Sequence, residues 1–417
     1  MSARLERHVL ARAEEILSDV EHCTDPVATA RLLPKEVYTS QEFFEFEKEA
    51  IFSREWLCIG HVNEVPEPGN HLPLKVLDEP VIMVRTNSGD IKVLSAICQH
   101  RGHAIFDGLG ARDATAPCLP AGRLVCPYHN WAYDLDGNLV AAPSMRETVP
   151  LERLRCEVRL PSIRTEVFHG LVFINFDENA APLAPTLSKL DKELSTFGLE
   201  ELVPMPATLR RDLAWNWKLH HDNALEPYHT SFVHRGAHSA APARLARFYE
   251  FEPGDGQVMH PTYLKSEDLS LGNDGERMTP FIPGLTDEQR KRVMFASVPP
   301  LLFGIFQPTF VSLSFLLPTG PASMDLRRVD LYPKAAVEAE GFAEAYQAQI
   351  KRKAIAIHQD QETLLALQRG YSSRFAPRGP LSWLESTIPQ MNQWLLERYQ
   401  RALAEQRALA EEATANA

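Results

Sequence analysis

Four residues in one stretch have the types and the spacing to hold metal. Cys98-Gln99-His100 and, further on, Cys126-Pro127-Tyr128-His129 each set one thiol beside one imidazole. Two thiolates and two neutral imidazoles can bind a [2Fe–2S] cluster with one iron on sulfur and the other on nitrogen, and exchanging two thiolates for imidazoles raises the reduction potential. Mixed pairs suit two short loops, each giving a sulfur to the first iron and a nitrogen to the second. A tetrahedral zinc site draws on the same residue types. Zinc fingers, however, usually group both Cys in one pair and both His in the other. The mixed pairs, with Tyr128 and Trp131 as a hydrophobic shell, favour the cluster.

A second group with chemistry to offer is Asp222-Asn223-Ala-Leu-Glu226-Pro-Tyr228-His229, followed by His234. Two histidines and one carboxylate on one face of an iron leave positions open for dioxygen and substrate. Five residues apart, His229 and His234 are separated by about 500° around an ideal α-helix, so they converge only where the helix is distorted or ends between them. Alone, such a pair is an ordinary surface or core feature. Beside an electron-carrying cluster it gains a purpose, because the electrons need a destination. The carboxylate must come from elsewhere. Tyr346, Ile350, Ala354, Ile357, Leu364 and Leu367 form an apolar stripe at helical spacing, and Asp360 falls on it. A carboxylate facing a core is costly unless it is paired or bound to a cation. Glu362, about 200° around the helix from Asp360, should face solvent. A structural ion pair is the plain alternative for Asp360.

The elements that must position these residues can be read in outline. A chain of 417 residues implies more than one domain. Its 44% hydrophobic and 24% charged content is ordinary for a globular protein. A net charge of −12 without a basic run argues against nucleic acid as a partner. The start lacks the apolar core of a signal peptide. The most apolar stretch, 298–317, is broken by Pro299, Pro300, Gly304, Gln307 and Pro308 into strand-sized blocks rather than a membrane span. The expectation is a cytoplasmic protein with Cys23, Cys58, Cys118 and Cys156 as free thiols. Residues 2–22 have a helical period, and Thr39 with Glu42 forms a capping box that opens a helix through Ile51. Short β-branched runs follow at Leu57–Gly60, Val81–Val84 and Ile91–Leu94, with turn chemistry at Asn87–Asp90 and Asp136–Asn138.

The metal-binding stretch therefore sits on loops of a small all-β domain over 50–165, preceded by a helical segment over 1–49. A mixed region over 166–417 follows. It reads as a strand at Leu171–Phe176, a helix at Ser188–Phe197, strands over 295–332, a long helix from about 336 to Gly370, and a last helix over 388–413. Residues 240–294 suit either a lid or a surface insertion. The class is α+β.

The motifs together resemble the catalytic (alpha) subunit of Rieske non-haem iron ring-hydroxylating oxygenases. The resemblance rests on Cys98-Gln-His100, Cys126 to His129 with Trp131-Ala-Tyr133, Asn216-Trp217-Lys218, Asn223, Glu226-Pro-Tyr228-His229, His234, and Gln359-Asp360 with Gln368-Arg369-Gly370. It spans residues from about 37 to 370. It implies a Rieske β domain inserted near the N-terminus of a helix-grip (START-like) catalytic domain with a large antiparallel sheet, assembled as a head-to-tail homotrimer with or without a β subunit. It also implies that Cys98, His100, Cys126 and His129 hold the cluster and that His229, His234 and Asp360 hold a mononuclear Fe(II). Asn223 and Glu226 take catalytic positions, Glu226 bridging His229 to His129 of a neighbouring subunit. Two departures stand out. The gap between His100 and Cys126 is long, as if Ala111–Pro120 were inserted. Glu226 stands where Asp is more frequent, similar to the branch acting on quaternary amines such as carnitine and glycine betaine.

The activity implied is that of a terminal oxygenase. Electrons come from NAD(P)H through a separate reductase, with or without a ferredoxin, and O2 is used to hydroxylate a small organic, aromatic substrate. The alternative is a monooxygenase cleaving a quaternary or N-methyl amine, for which Trp215, Tyr228, Phe232, Phe303, Phe306 and Phe310 could form an aromatic cage. No GxGxxG between a strand and a helix offers this chain a nicotinamide or flavin site of its own. A rival from another class, an electron-transfer ferredoxin with a structural extension, predicts that His229 and His234 are dispensable.

Overall fold

The computed structural model describes residues 5–106, 119–120, 122–234, 239–269 and 279–415. Its architecture is α+β, as expected, and two antiparallel sheets organise it. The first has seven strands in the spatial order Leu57–His61, Leu171–Asn175, Ser162–Phe168, Ile91–Ser95, Glu79–Arg85, Asn70–Val76 and Leu119–Pro120. The expected turn at 87–90 joins two of them. A small three-stranded sheet, Leu124–Val125, Ala132–Tyr133 and Leu139–Ala141, packs beside it. Here the Asp136–Asn138 turn is real: Asp134 Oδ1 accepts the N–H of Asp136 and of Asn138, and Gly137 takes a φ of +88°. Ile82, Val84, Leu94, Trp131, Tyr133 and Leu139 form a core around Cys98 and Cys126.

The limit expected at 165 falls inside the Ser162–Phe168 strand. The sheet itself continues to Asn175, because the 171–175 strand pairs with the 57–61 strand rather than with anything downstream. Residues 107–118, which include most of the expected insertion and Cys118, lie outside the described residues.

The second sheet runs Leu202–Pro204, Ser323–Pro333, Val311–Gly320, Leu302–Phe306, Arg292–Val298 and Val258–Tyr263, with Thr208–Leu213 also paired to the 323–333 strand. The strands expected over 295–332 are all present. Val258–Tyr263, from the 240–294 stretch expected to be a lid or a surface insertion, adds an edge strand; residues 270–278 of that stretch lie outside the described ones. The Trp217–Leu225 helix, the long Phe342–Tyr371 helix and the C-terminal Thr387–Ala415 helix pack together, and the first and last of these touch the sheet. Among the described residues no helix is long and apolar enough to cross a membrane.

Three helical expectations need correction. The first helix is shorter than expected, Arg7–Leu17. The second, Gln41–Glu47, is capped by Ser40 and not by Thr39. Ser40 Oγ accepts the Phe43 N–H at 3.2 Å, while the Thr39 hydroxyl turns back to the Lys35 carbonyl. The helix expected from 336 is broken into Lys334–Val337 and Phe342–Tyr371, because Gly341 takes a φ of +81°, outside helical geometry. The apolar stripe on the long helix is also only partly right. Ile350, Ala354 and Leu367 are exposed, whereas Gln349, Lys353, Asp360, Leu364 and Gln368 turn inward. This helix covers a cavity of mixed, mainly apolar lining, into which Lys353, Asp360 and Leu364 face.

One buried charge pair ties the N-terminal segment to the rest. Lys218 Nζ lies 2.8 Å and 2.9 Å from the two Glu47 carboxylate oxygens, and the Tyr399 hydroxyl donates to the same carboxylate. Glu47, Lys218 and Tyr399 are all fully buried.

Candidate metal centres

The Cys98 and Cys126 loops are two tight turns closed by their own backbones. Cys98 N–H donates to the His103 carbonyl and Gly102 N–H to the Cys98 carbonyl; Cys126 N–H donates to the Trp131 carbonyl and Asn130 N–H to the Cys126 carbonyl. Both thiols are buried and free of disulfides. Burial raises the Cys126 thiol, and the neighbouring Cys98 adds to the effect, against the backbone N–H groups of Tyr128 and His129 that point at the sulfur. Tyr133 Oη lies 3.3 Å from Cys98 Sγ and accepts the Gln99 N–H, which leaves its own proton to donate to sulfur. The His100 and His129 rings are 4.8 Å apart, and His100 is stacked on Trp131 at 4.6 Å. His100 Nδ1 is buried with no hydrogen-bond partner. An orphaned ring nitrogen and a sulfur already receiving N–H donors are what a [2Fe–2S] cluster would use, so the four residues fit that group.

The second centre solves the spacing problem by ending a helix. His229 precedes the four-residue helix Thr230–Val233, and His234 terminates it with φ −95° and ψ 57°. The two rings come within 5.1 Å of one another, nearly perpendicular. Asp360 reaches them from the long helix. Its Oδ1 is 3.6 Å from His229 Nε2 and 3.0 Å from His234 Nε2, and one ligand atom from each of the three residues lies within 4.8 Å of the others. Each ring is fixed from behind. His229 Nδ1 meets Glu226 Oε1 at 2.6 Å, and His234 Nδ1 meets Gln359 Oε1 at 3.0 Å. An acceptor at Nδ1 holds the proton there and leaves the Nε2 lone pair facing Asp360, as a metal ligand requires.

Glu226 also accepts the His229 backbone N–H through Oε2, and Asn223 Nδ2 donates to Asp360 Oδ1 at 3.1 Å. Burial works to raise the Asp360 carboxyl, but His234, His229 and Asn223 outweigh it and hold it below the ordinary value. Glu362, by contrast, faces solvent as expected. The sequence motif includes Gln359 beside Asp360 without giving it a role; that role depends on where the long helix meets His234, which spacing along the chain does not encode.

A cavity of about 160 Å³ opens on this group. Its walls come from matching positions on adjacent strands: Phe295 opposite Ile305, Phe303 opposite Ser314, Ser314 opposite Arg328, with Arg210 on the next strand. Of the six aromatic candidates, Trp215 and Phe303 line it. Tyr228 and Phe232 lie on the outer surface, 44% and 65% exposed, and Phe306 and Phe310 are buried elsewhere, in the core behind the sheet and against Tyr332. Phe295, Arg210 and Arg328 were missed. Alternation along their strands puts them on the inner face, but nothing local shows that this face bounds a cavity. Asp222, the remaining acid of the motif, is fully buried, accepts the Tyr38 O–H at 3.2 Å, and has its carboxyl pushed up to about 7 by that burial. It supports the helix instead of lining the site.

A small β domain with a mixed Cys/His ligand set, joined to a large sheet that shelters a two-histidine, one-carboxylate group, defines a two-centre Rieske non-haem iron architecture. Comparison with known proteins agrees. A family model for the Rieske [2Fe-2S] domain matches residues 55–162, and one for the ring hydroxylating alpha subunit (catalytic domain) matches residues 199–401. The chain belongs to the Rieske-type ring-hydroxylating oxygenase alpha subunits. It is similar to the carnitine monooxygenase oxygenase subunit of Acinetobacter pittii (strain PHEA-2), 30% identical over 217 residues that make up 52% of this chain and 56% of that one. It is also similar to the biphenyl 2,3-dioxygenase subunit alpha of Rhodococcus jostii (strain RHA1), 34% identical over 227 residues, 52% of this chain and 45% of that one. The chain thus spans about half the length of the curated relatives it matches. In fold it is similar to a solved quaternary ammonium Rieske monooxygenase, with a TM-score of 0.75 and 21% identity over 91% of this chain and 98% of that one.

Proposed function

We propose that the protein is the terminal oxygenase component of a multicomponent Rieske oxygenase. The observation that carries this reading is the convergence of His229, His234 and Asp360 beneath a substrate-sized cavity, with both Nδ1 positions already occupied by acceptors. In this reading His229, His234 and Asp360 hold a mononuclear Fe(II), and Cys98, His100, Cys126 and His129 hold the [2Fe–2S] cluster. Bound there, the cluster supplies single electrons and the iron supplies dioxygen activation. The chain's own part is positioning. Glu226 and Gln359 orient the two imidazoles, Asn223 restrains Asp360, and Trp215, Phe295 and Phe303 hold the substrate and exclude water. Residues 1–49 act as a brace, the β domain up to the boundary region near 165 as the electron entry, and the remainder as the catalytic domain.

Electrons come from NAD(P)H through a separate reductase, with or without a ferredoxin. The working form is a homotrimer in the cytoplasm, in which Glu226 faces His129 of a neighbouring subunit. The leading substrate is a small aromatic compound that is hydroxylated. A second reading, oxidation of a quaternary or N-methyl amine with C–N cleavage, is favoured by Glu226 in place of the more frequent Asp and by the carnitine-oxidising relative.

Oxygen uptake by iron-replete protein with a generic reductase and NADH tests the proposal. One panel contains aromatic acids and hydrocarbons, and the other contains betaines, carnitine and N-methylated amines. Coupled formation of a hydroxylated aromatic product supports the leading reading, and release of an aldehyde from an amine supports the second. Undiminished turnover after His229→Ala would sink both.

A further inference from the structure

The cavity above the three metal-ligating side chains carries a charge feature that neither a hydrocarbon nor a bare cation would call for. Arg328 stands on its inner wall, on the Ser323–Pro333 strand, and Arg210 stands on the neighbouring strand, nearly across from it. Arg328 Nε donates to Ser314 Oγ at 3.2 Å, and among the described residues neither arginine makes an ion pair. Burial lowers the Arg328 guanidinium, and Arg210 lowers it further by like-charge repulsion. Two carboxylates, Asp360 and Asp330, act on it from a distance, and both are committed elsewhere. Asp360 faces the two imidazoles, and Asp330 accepts from Lys353 Nζ at 2.8 Å and from Ser312 Oγ at 2.6 Å. Two partly buried guanidinium groups thus share one wall of the cavity without a salt-bridge partner among the described residues. Even a partly buried cation in that position gains from an anion that pairs with it. A guanidinium with its Nε already on a hydroxyl still presents its fork to a carboxylate, the anion it matches in shape.

We infer that this cavity takes a substrate carrying a carboxylate, held by Arg328 with Arg210 beside it, so that the opposite end of the molecule is directed at the metal-ligating group. This rests on the oxygenase reading above and narrows its substrate class. Two sources satisfy the chemistry, an aromatic acid and a carboxybetaine, and both are expected to bind better than their uncharged or carboxylate-free counterparts. A cation without a carboxylate meets the two arginines with nothing to offset them.

The test is anaerobic calorimetric titration of the intact holoprotein, followed by oxygen uptake with the same compounds. The probes are benzoate against benzamide, and glycine betaine against choline. At least one carboxylate is expected to bind about tenfold or more tightly than its partner lacking the charge. Arg328→Gln is expected to erase that ratio, and Arg328→Lys to restore part of it, with iron content and the visible absorption of the cluster unchanged. Turnover of the benzoate arm to a hydroxylated acid, or of the betaine arm to an aldehyde and a demethylated product, identifies the source. Equal binding of each pair by the natural protein overturns the inference, whatever the variants do. Tight carboxylate binding with no coupled oxygen uptake from any compound overturns the oxygenase reading and leaves the carboxylate site standing.

Discussion

At the level of single residues, the proposed metal-binding set divides into groups that announce themselves and groups that do not. Cys98, His100, Cys126 and His129 are legible because the cluster needs two sulfurs and two nitrogens in mixed pairs. His229 and His234 are legible with a condition, that a helix end between them, and it does. Asp360 is legible because a carboxylate among apolar neighbours requires a reason, although half of the stripe that pointed to it is exposed. Gln359 and Arg328 are not legible, since their partners arrive from other elements. Asp360→Ala is therefore expected to strip the iron and abolish coupled turnover while leaving the cluster's visible spectrum intact, which metal analysis and absorption on one sample will check. Gln359→Leu should weaken iron binding by about 10- to 100-fold without touching a ligand, the range found for outer-shell partners; chelator competition measures it.

Among elements, the long helix is the one on which the site depends, and its attachment is specific. Gln368 accepts the Asn216 N–H at 2.8 Å and donates to the Tyr38 carbonyl at 3.1 Å, joining the long helix to the start of the Trp217–Leu225 helix and to the N-terminal segment. Gln368→Leu leaves two buried backbone groups unsatisfied and is expected to cost about 1–3 kcal/mol for each, read as a drop in denaturant midpoint. The sequence shows the Gln368-Arg369-Gly370 motif but not that Gln368 is a tether. The Ser40 cap offers a second check on what local patterns can say. The capping-box pattern puts the cap at Thr39, and the backbone geometry puts it one residue on, at Ser40. Ser40→Ala should cost about 1 kcal/mol in thermal unfolding, and Thr39→Ala distinctly less.

For the molecule as a whole, acid sensitivity follows from histidines that fold neutral. Burial pushes His61, His221 and His260 down to about 4. His221 is pinned in that state, its Nε2–H donating to the Pro300 carbonyl while Nδ1 accepts from Ser297. Because the folded pKa lies below the unfolded one, their contribution is fully present above about pH 6.5 and is lost as pH falls toward 4. Each such group is worth up to about 1.4 kcal/mol per pH unit in that window. His220, lowered to about 3 by burial, adds to the same effect, while Asp222, raised to about 7, and Glu385, also raised by burial, work in the opposite direction, two groups against four. The urea midpoint should therefore fall between about pH 6.5 and 4 and level off only below about 3. The two-sheet plan was readable from strand texture; these buried histidines were not, because burial is a property of the assembled molecule. The division of ligands between the 229–234 segment and the long helix has a consequence of another kind. An ion bound there would fasten two distant parts of the chain together, and a species that favours the folded form also shields it from degradation. When cellular iron is scarce, newly made chains should be cleared faster, so that pulse-chase half-life, and with it the amount of protein, follows the iron supply. Asp360→Ala should be short-lived under either condition.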